Sequence, residues 1–560
     1  MAFQLSPGVL VTEKDLTSVV PAVATTAGGF AGAFAWGPVD EVVTVDSENT
    51  LVERFGKPND TTFESFFTAA NFLSYGNNLQ VVRSVDQSVA RNAVANASAT
   101  AVLVKNEDNY TSTFADGSAS VGEWAAKYPG VLGNSLKVSM ADANVFAGWE
   151  YASLFDAAPS TSTYVSGVGG SNDEMHVIVI DEDGLWTGAA GTVLEKFPFV
   201  SKASDAKKSD GTNAYYKNVV NTSSKYIWWM DHTASVATGT AWGSSANATS
   251  FANLTSNVTV SLSNGVSADS PTDGNLINSF NIFSNDEIYD ISLIPTGNVS
   301  TTVGLAAVGV AEFRKDAIAF VSPQRDDVVG VVGAQASNIV TTRNSFGSSS
   351  YAVMDSGWKY QYDRYNDVYR WVPMNGDTAG LAVRTDFVAD PWFSPAGFNR
   401  GQIKNVVKLA YSPSKTDRDT LYKAGINPVV TFPGNGTVLY GDKTMLTKPS
   451  AFDRINVRRL FIVLEKAIAT AAKYQLFEFN DQFTRAQFRN LVEPFLRDVQ
   501  GRRGVTDFKV VCDETNNTGE VIDRNEFVAD IYIKPARAIN FIQLNFIATR
   551  TGISFEEVGA

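Results

Sequence analysis

The chain has 560 residues, of which 44% are hydrophobic and 11% aromatic, so it carries enough apolar material for several packed cores. Its formal net charge of −14 excludes the usual nucleic-acid binder, which neutralises phosphates with clustered Lys and Arg. The single cysteine, Cys512, excludes an intrachain disulfide and is typical of a protein made in a reducing cytosol.

The N-terminal residues 1–23 are predicted to form an extended arm. In the stretch FQLSPGVLVTE the apolar residues fall on one side of an extended chain, and Pro7–Gly8 marks a turn. No basic region precedes an apolar stretch, so we expect no secretory signal. The Ala/Gly-rich run from Pro21 to Trp36 is interrupted by polar and glycine residues. It therefore predicts a buried core segment rather than a membrane span.

Residues 24–90 show a compact pattern of strands and helices. The strand EVVTV is followed by the helix DSENTLVERFG, which Asp46 or Ser47 can cap, and then by the helix TFESFFTAANFLSYG and the strand NLQVVRSV. No glycine-rich phosphate loop joins these elements. Together with 301–399, where FRKDAIAFVSPQ reads as a helix end and a strand, this segment predicts an α/β middle domain.

Residues 91–300 have a different composition, dominated by Ser, Thr, Asn, Ala and Gly. The stretch HVIVIDEDGLWTG indicates a hairpin that turns at Asp183–Gly184. We therefore predict a β-rich insertion of one or two subdomains on the outer surface, with limits that the sequence leaves open.

Residues 400–560 are predicted to form an α+β domain, which the family resemblance described below implies is the inner domain. The stretch NPVVTFPGNGTVLYGD indicates a hairpin, and two helices are expected over 452–477 and from Thr484 to about Asp498, with Pro494 at a kink. The chain is expected to finish in two strands, EFVADIYIKP and AINFIQLNFIAT.

The sequence shows no arrangement of catalytic or metal-binding residues. The two histidines, His176 and His232, have mainly apolar or aromatic neighbours, which favours structural roles, and no metalloprotease, nucleophile-elbow or P-loop motif occurs. Asp181–Gly184 lacks the further ligands of a calcium loop, so a hairpin turn is expected. We predict no catalytic site, no metal and no cofactor.

One charged surface stands apart from the acidic background. Residues 451–504 contain ten Lys or Arg residues against six Asp or Glu residues. In the helix INVRRLFIVLEKAIATAAKYQLFE, the basic residues Arg459, Lys466 and Lys473 recur every seven residues, roughly opposite the apolar stripe of Val457, Phe461, Leu464, Ile468 and Ala471. This basic face is either a solvated helix surface or a docking surface for an acidic partner.

Several stretches resemble the tail sheath proteins of contractile-tailed, myovirus-type bacteriophages. LSPGVLVTE followed by AGAFAWGP resembles the opening arm and first strand of that family, and FFTAANFLSYGNNLQVVR resembles its first helix–strand unit. The middle stretch from HVIVIDEDGLWTG to SSKYIWW is similar to the insertion of sheaths from large myoviruses. PWFSPAGFNRGQI, DTLYKAGINPVVTFPGNGTVLYGDKTM and INVRRLFIVLEKAI resemble the C-terminal signature of the family.

The resemblance implies a structural subunit with strand-exchanging terminal arms. The arms would be 1–23 and 538–560, and they would add strands to sheets of neighbouring subunits. The arm residues expected between subunits are Leu5, Pro7, Gly8, Val9, Val11, Phe541, Leu544, Phe546, Ile553 and Phe555.

The resemblance also implies which partners the chain has. The subunits would polymerise as helically stacked rings around a tail tube protein, which the inner domain would contact, and would meet baseplate and tail terminator proteins. It implies a virion tail location after synthesis in the host cytoplasm, with no nucleic acid partner and no membrane insertion.

Two alternatives remain at this stage. The sheath of a bacterial contractile injection system would use the same arms and core. A β-rich phage polysaccharide depolymerase would instead need paired carboxylates in a cleft, and residues such as Asp205, Asp210, Asp286 and Asp290 offer no distinctive pair.

Overall fold

The computed structural model describes residues 24–236, 241–540 and 542–544. The chain divides into two compact units. The larger unit comprises 24–388 and 395–453, and the described part of the smaller unit comprises 389–394, 454–540 and 542–544. Both units contain helices and strands, which confirms the α/β class.

The larger unit contains the following elements in chain order. Its strands are β1 Gly28–Gly32, β2 Val42–Val45, β3 Leu79–Arg83, β4 Trp124–Ala126, β5 Leu136–Asp142, β6 Glu174–Asp181, β7 Thr192–Ser201, β8 Ile227–Trp229, β9 Val258–Ser261, β10 Leu293–Pro295, β11 Ile318–Val321, β12 Ala352–Met354, β13 Trp358–Asp363, β14 Val368–Pro373, β15 Lys408–Leu409, β16 Val429–Phe432 and β17 Gly436–Leu439. Its α-helices are α1 Glu48–Phe55, α2 Phe63–Leu73, α3 Glu107–Asn109, α4 Thr163–Gly167, α5 Tyr216–Ser223, α6 Asp273–Asn281, α7 Thr301–Arg314, α8 Arg325–Val328, α9 Gln335–Ser345, α10 Asn375–Val388 and α11 Lys415–Lys423.

Fewer elements lie in the described part of the smaller unit. They are the helices α12 Ile455–Ala472, α13 Gln482–Gly501 and α14 Gly519–Asp523 and the strands β18 Val505–Val511 and β19 Asp530–Pro535.

A six-stranded sheet forms the centre of the larger unit, with the strand order β12-β11-β10-β1-β3-β2. Its pairs are parallel except for β2, which runs antiparallel to β3. The two glycines at the start of β1 allow close packing on both faces of the sheet. A Cβ at Gly28 would lie 2.6 Å from a Phe72 ring carbon, and one at Gly29 would lie 2.6 Å from Ile291 Cδ1.

Local helix signals predicted from the sequence are present in this unit. The Ser47 side chain accepts a hydrogen bond from the Thr50 backbone N–H (3.2 Å) and so caps α1. The hairpin predicted for NPVVTFPGNGTVLYGD is confirmed as the antiparallel pair β16–β17.

Residues 91–272 are rich in antiparallel strands. β7, β6, β5 and β9 form a four-stranded sheet in that order, and β4 pairs with β8. The chain enters and leaves this region side by side, because Arg91 and Val266 exchange backbone hydrogen bonds of 3.1 and 2.9 Å. The region therefore has the geometry of an insertion with closely spaced ends.

The expected limit of the insertion at residue 300 is too late. α6 packs beside α7 and β1, and β10 is a central strand of the six-stranded sheet. Residues 273–300 therefore belong to the α/β core, because their apolar side chains complete that core rather than the inserted one. The second strand of the predicted HVIVIDEDGLWTG hairpin is also displaced, since β7 begins at Thr192 after a longer loop.

The expected start of the inner domain at residue 400 is also displaced. Residues 400–453 pack within the larger unit, where Leu421, Ile426 and Met445 join the core around β11 and β12. Conversely, residues 389–394 belong to the smaller unit. Trp392 Nε1 donates to Arg502 O (3.0 Å), and the Trp392 ring packs against Gly504, which has no side chain to obstruct it.

A buried polar network lies inside the larger unit. Lys359 Nζ is 2.9 Å from Asp377 Oδ1, and both side chains are fully buried. Tyr75 Oη donates to the same oxygen of Asp377 (3.1 Å). Asp355 lies nearby and accepts hydrogen bonds from Ser322 Oγ (2.7 Å) and Gly357 N (2.9 Å). Burial raises the pKa of Asp355 to about 7 because the charged form loses water.

Candidate assembly interface

In the described part of the smaller unit, the sheet is the antiparallel pair β18–β19. Phe508 lies opposite Ile533 and Val510 lies opposite Ile531. These residues face one side, where they pack with apolar residues of α12 and α13 that include Leu464, Phe488, Val492 and Leu496. The alternation of the two strands thus buries one face of the sheet against helices.

The opposite face of this sheet is exposed. Asp507 and Lys534 pair across the strands at 2.9 Å, and both are exposed. Within the described part of the chain no third strand joins β18 or β19, so the outer backbone groups of both strands lie at open edges. An open edge with unpaired backbone groups is a template for the addition of further strands.

Most of the predicted arm residues lie outside the described residues. Leu5, Pro7, Gly8, Val9, Val11, Phe541, Phe546, Ile553 and Phe555 belong to this group. Leu544 is described, and with Ile539 and Ile542 it is strongly exposed. The strand predicted for AINFIQLNFIAT is not formed at residues 538–540 and 542–544. Among the described residues, Ile539, Ile542 and Leu544 belong to no sheet.

The predicted basic face on α12 is not a uniformly solvated surface. Arg459 is buried, Lys466 is half-buried and Lys473 is exposed. The expected apolar stripe is buried at Val457, Leu464 and Ala471, but neighbouring positions such as Ile462 and Val463 are buried too. The first half of α12 is covered on nearly all sides, whereas in its second half the exposed residues Glu465, Ala469 and Lys473 recur every four residues and so share one face.

Sequence reasoning missed a group of exposed, mostly aromatic residues that extends from the end of α12 into the first turn of α13. The stretch KYQLFEFNDQF contains five large apolar residues, Tyr474, Leu476, Phe477, Phe479 and Phe483, and all of them are exposed. We call residues 474–483 the aromatic loop. The signal available in the sequence was an apolar run with neither helical nor strand periodicity.

The polar residues considered for catalysis serve the fold. His176 Nδ1 accepts from Phe199 N (3.0 Å) and Nε2 lies 2.9 Å from Ala157 O, while the ring stacks on Phe155. Burial lowers the pKa of His176. His232 Nδ1 is 2.6 Å from Tyr216 Oη, and burial lowers its pKa as well.

The acidic stretch at Asp181–Gly184 forms a turn. Asp181 Oδ2 accepts from the backbone N–H groups of Trp186 (3.0 Å) and Thr187 (2.8 Å). Burial tends to raise the pKa of Asp181, but these hydrogen bonds and one from Ser135 outweigh it and lower the pKa. Local donors therefore occupy the carboxylate.

Two of the carboxylates considered for glycoside hydrolysis, Asp205 and Asp210, accept hydrogen bonds from nearby hydroxyl groups. Asp205 accepts from Ser245 Oγ of a loop distant in sequence (2.7 Å), and Asp210 accepts from Thr212 Oγ1 of its own turn (2.6 Å). Among the described residues no group of three or more His, Cys, Asp or Glu side chains is placed to hold a metal ion. None of the described helices is both long enough and apolar enough to cross a lipid bilayer.

Three protein-family models match the chain in order. The model of the tail sheath protein Gp18 domain III N-terminal region matches residues 26–83, the phage tail sheath protein central domain matches 296–445, and the phage tail sheath C-terminal domain matches 447–549. The segment between 83 and 296, which contains the antiparallel insertion, lies between these matches.

Curated relatives extend the match over the whole chain. The tail sheath protein of Salmonella phage ViI is 34% identical over 646 residues, covering 100% of this chain and 98% of the relative. The tail sheath proteins of Vibrio phage KVP40 and Enterobacteria phage T4 are 35% and 33% identical, each covering 99% of both chains.

Solved structures show the same fold at lower identity. The sheath tail protein of Listeria innocua has a TM-score of 0.56 at 11% identity, covering 91% of this chain and 92% of that one. The contracted helical sheath of the anti-feeding prophage has a TM-score of 0.52 at 13% identity, covering 98% and 100%. These likenesses concern the fold alone.

Together, the matches define the protein as a structural component of a contractile tail. The chain belongs to the tail sheath protein family of contractile bacteriophages. The injection-system alternative is less supported, because its sheath matches at 13% identity whereas the phage sheaths match at 33–35%.

Proposed function

We propose that this chain is a mechanical subunit that polymerises as helically stacked rings around a tail tube and shortens to drive the tube through the host envelope. It is made in the host cytoplasm, becomes part of the virion tail, and meets tube, baseplate and tail terminator proteins there. It catalyses no reaction, in keeping with its relatives, which are tail sheath proteins.

The observation that carries this proposal is the pair β18–β19, whose two edges are open within the described residues. The terminal arms 1–23 and 538–560 of neighbouring subunits add strands to these edges. Each added strand gains backbone hydrogen bonds and covers an edge that is otherwise exposed. Such exchange links every subunit to its neighbours through main-chain contacts.

Contraction needs no nucleotide or metal in this mechanism. An extended polymer that assembles in a metastable arrangement releases free energy as the subunits gain better contacts. The exchanged strands hold the subunits together while the rest of each subunit changes its contacts. Each subunit contributes a modest free energy, which is multiplied by the number of subunits.

The tube contact belongs to the smaller unit in this proposal. Lys466 and Lys473 present positive charge on α12, while the chain as a whole carries a net charge of −14. An acidic tube surface would meet this local charge favourably. Arg459 is buried, so in this proposal it holds α12 in place and does not contact the tube.

Deletion of residues 1–15 tests strand addition. We expect a folded monomer with an unchanged circular dichroism spectrum, because β18 and β19 keep their own helix-facing core. Sedimentation velocity and negative-stain microscopy should detect no tubes. The matched control is the full chain with Glu13→Gln and Lys14→Gln, which keeps the apolar pattern and should polymerise. Long tubes formed by the deletion variant would contradict the mechanism.

Truncation after Ala538 tests the second arm. Ile539, Ile542 and Leu544 are exposed, so their removal should leave the core of the smaller unit intact. We again expect a folded monomer that does not polymerise. Normal tubes from this variant would restrict strand addition to the N-terminal arm.

A further inference from the structure

The aromatic loop is an unusually apolar exposed surface. Its five large apolar residues have exposed fractions that range from 64% at Leu476 to full exposure at Phe477. Exposed apolar residues that occur singly need no explanation, but a contiguous group of this size marks an interaction surface. The group lies on the smaller unit and follows the C-terminal end of α12.

Polar anchors hold the loop from the side of the protein. Asn480 Nδ2 donates to Glu526 O (2.8 Å), and Arg485 Nη1 donates to Asn480 Oδ1 (2.8 Å). Asp481 caps α13 by accepting from Thr484 N (2.8 Å). Phe477 has a φ of +71°, which is costly for a bulky residue. The backbone is thus fixed in a conformation that points its apolar side chains to solvent.

These anchors also place the loop beside one end of the open sheet. Asn480 Nδ2 lies 3.2 Å from Asn517 Oδ1, and both Asn517 and Glu526 belong to the connection between β18 and β19. A strand that adds to either edge of the sheet therefore begins or ends near the aromatic loop. The loop and the open edges form one continuous region.

The N-terminal arm has the length and the composition to cover both parts. β18 has seven residues and is about 23 Å long, whereas the 23 residues that precede Ala24 span up to about 76 Å when extended. Strand addition leaves most of the arm available for other contacts. Among residues 1–23 only Glu13, Lys14 and Asp15 are charged, and the apolar residues include Phe3, Leu5, Val9 and Val11.

We propose that the aromatic loop is the docking surface for residues 1–23 of a second copy of this chain. The apolar arm residues that extend past the added strand pack against Phe477, Phe479 and their neighbours. This inference rests on the strand addition proposed above and adds a side-chain anchor to it. Aromatic residues in desolvated contacts carry a large share of binding energy.

The first test uses the full chain with Phe477→Ser and Phe479→Ser. Both side chains are exposed, so we expect an unchanged fold by circular dichroism. Without tube protein present, the concentration required for polymerisation should rise by about tenfold or more. The matched control is Ile288→Ser with Phe313→Ser, two similarly exposed apolar residues of the larger unit, which should polymerise like the wild type. Equal behaviour of both variants would overturn the inference.

The second test identifies the occupant. A photo-crosslinking phenylalanine analogue is placed at position 479 in the full chain, and mixed isotope-labelled copies are polymerised and irradiated. Mass spectrometry should find intermolecular links to residues 1–23. Links only to tube protein in co-assembled tails, or only to other surfaces of the chain, would overturn the inference.

The crosslinking experiment and the deletion of residues 1–15 together separate this inference from strand addition. If the chain without residues 1–15 stays monomeric while the crosslinks lie elsewhere, strand addition stands and the docking surface is wrong. If that deletion variant forms normal tubes, strand addition itself is wrong and the docking proposal fails with it.

Discussion

The six-stranded sheet of the larger unit and the two-stranded sheet of the smaller unit differ in what covers their edge strands. At one edge of the six-stranded sheet, β12 is covered by the chain itself, since Asn427 N donates to Met354 O (2.9 Å) and Met445 N donates to Ala352 O (2.8 Å). The other edge strand, β2, has only four residues. In the smaller unit, by contrast, the described residues provide β18 and β19 with no further partner.

One buried ion pair of the larger unit can be compared with one exposed ion pair of the smaller unit. The larger unit encloses the pair Lys359–Asp377 completely, whereas the pair Asp507–Lys534 on the smaller sheet is exposed. In the larger unit the sheet edge at β12 is thus covered by the same chain, whereas the described residues leave the edges of β18 and β19 without a further strand. This difference suits a polymer whose subunits fold before they join.

The largest effect is expected from removing one partner of the buried pair. Lys359→Met leaves the Asp377 carboxylate buried without its cation, which should lower the free energy of unfolding by about 3–5 kcal/mol. Denaturant unfolding followed by tryptophan fluorescence measures this change, and Trp358 lies next to the site. The exposed counterpart Lys534→Met should leave stability unchanged.

A second substitution checks the cause of that loss. The double variant Lys359→Met and Asp377→Leu removes both charges and should recover most of the stability. Similar losses for Lys359→Met and Lys534→Met would contradict the contrast between the two units.

The next effect concerns the pH dependence of stability. Burial raises the pKa of Asp355 from 3.8 to about 7, so the folded state binds a proton that the unfolded state releases between these values. This carboxyl therefore lowers stability as pH rises from about 4 to 7, by at most about 4 kcal/mol. Asp355→Asn should flatten this decline in unfolding curves recorded across that range.

The exposed carboxyl of Asp507 in the smaller unit provides the matched control for the pH dependence of stability. The pKa of Asp507 is lowered, first by its hydrogen bond with Lys534, so its contribution is lost only in acid, below its unfolded pKa. Asp507→Asn should leave the profile between about pH 5 and 8 unchanged. An Asp355→Asn profile as steep as that of the wild type would show that another group titrates.

A smaller effect on assembly is expected from removing the insertion. Because Arg91 and Val266 lie side by side, a short Gly/Ser bridge can replace residues 92–265. The six-stranded sheet should fold and the chain should still form tubes, as seen by electron microscopy. Extending the excision through Pro295 removes β10 and should abolish folding. A folded 92–265 variant that never polymerises would place assembly contacts in the insertion.

The smallest effect is expected at the exposed charges of α12. The double variant Lys466→Glu with Lys473→Glu should bind tail tubes less favourably, by a binding free energy of about 0.2–1 kcal/mol per charge pair, as measured by co-sedimentation. Added salt should likewise weaken the binding of the wild type to tubes. Arg459→Glu should instead destabilise the smaller unit, because it buries an acidic group. Unchanged docking of the double variant at low salt would favour a solvated helix surface.

The sequence predicted those helices and strands whose signals lie within a few neighbouring residues. The Ser47 cap, the β16–β17 hairpin and the helix Ile455–Ala472, which was predicted over 452–477, follow from residue types within a few positions of each other. The family was also predictable, because its signature stretches are spread along the chain in order. The boundary at 300 was wrong because β10 looks like any short apolar strand until its partners β1 and β11 are known.

In the candidate interface, too, some features follow from the sequence and others only from the tertiary structure. The sequence by itself determined the apolar alternation of the arms, the charge of α12 and the absence of known catalytic motifs, since these depend on residue order alone. Only the tertiary structure decided that Arg459 is buried, that the aromatic loop is exposed and that β18–β19 has open edges among the described residues. Burial and strand pairing depend on residues far apart in the chain, and a local pattern does not specify which of them meet.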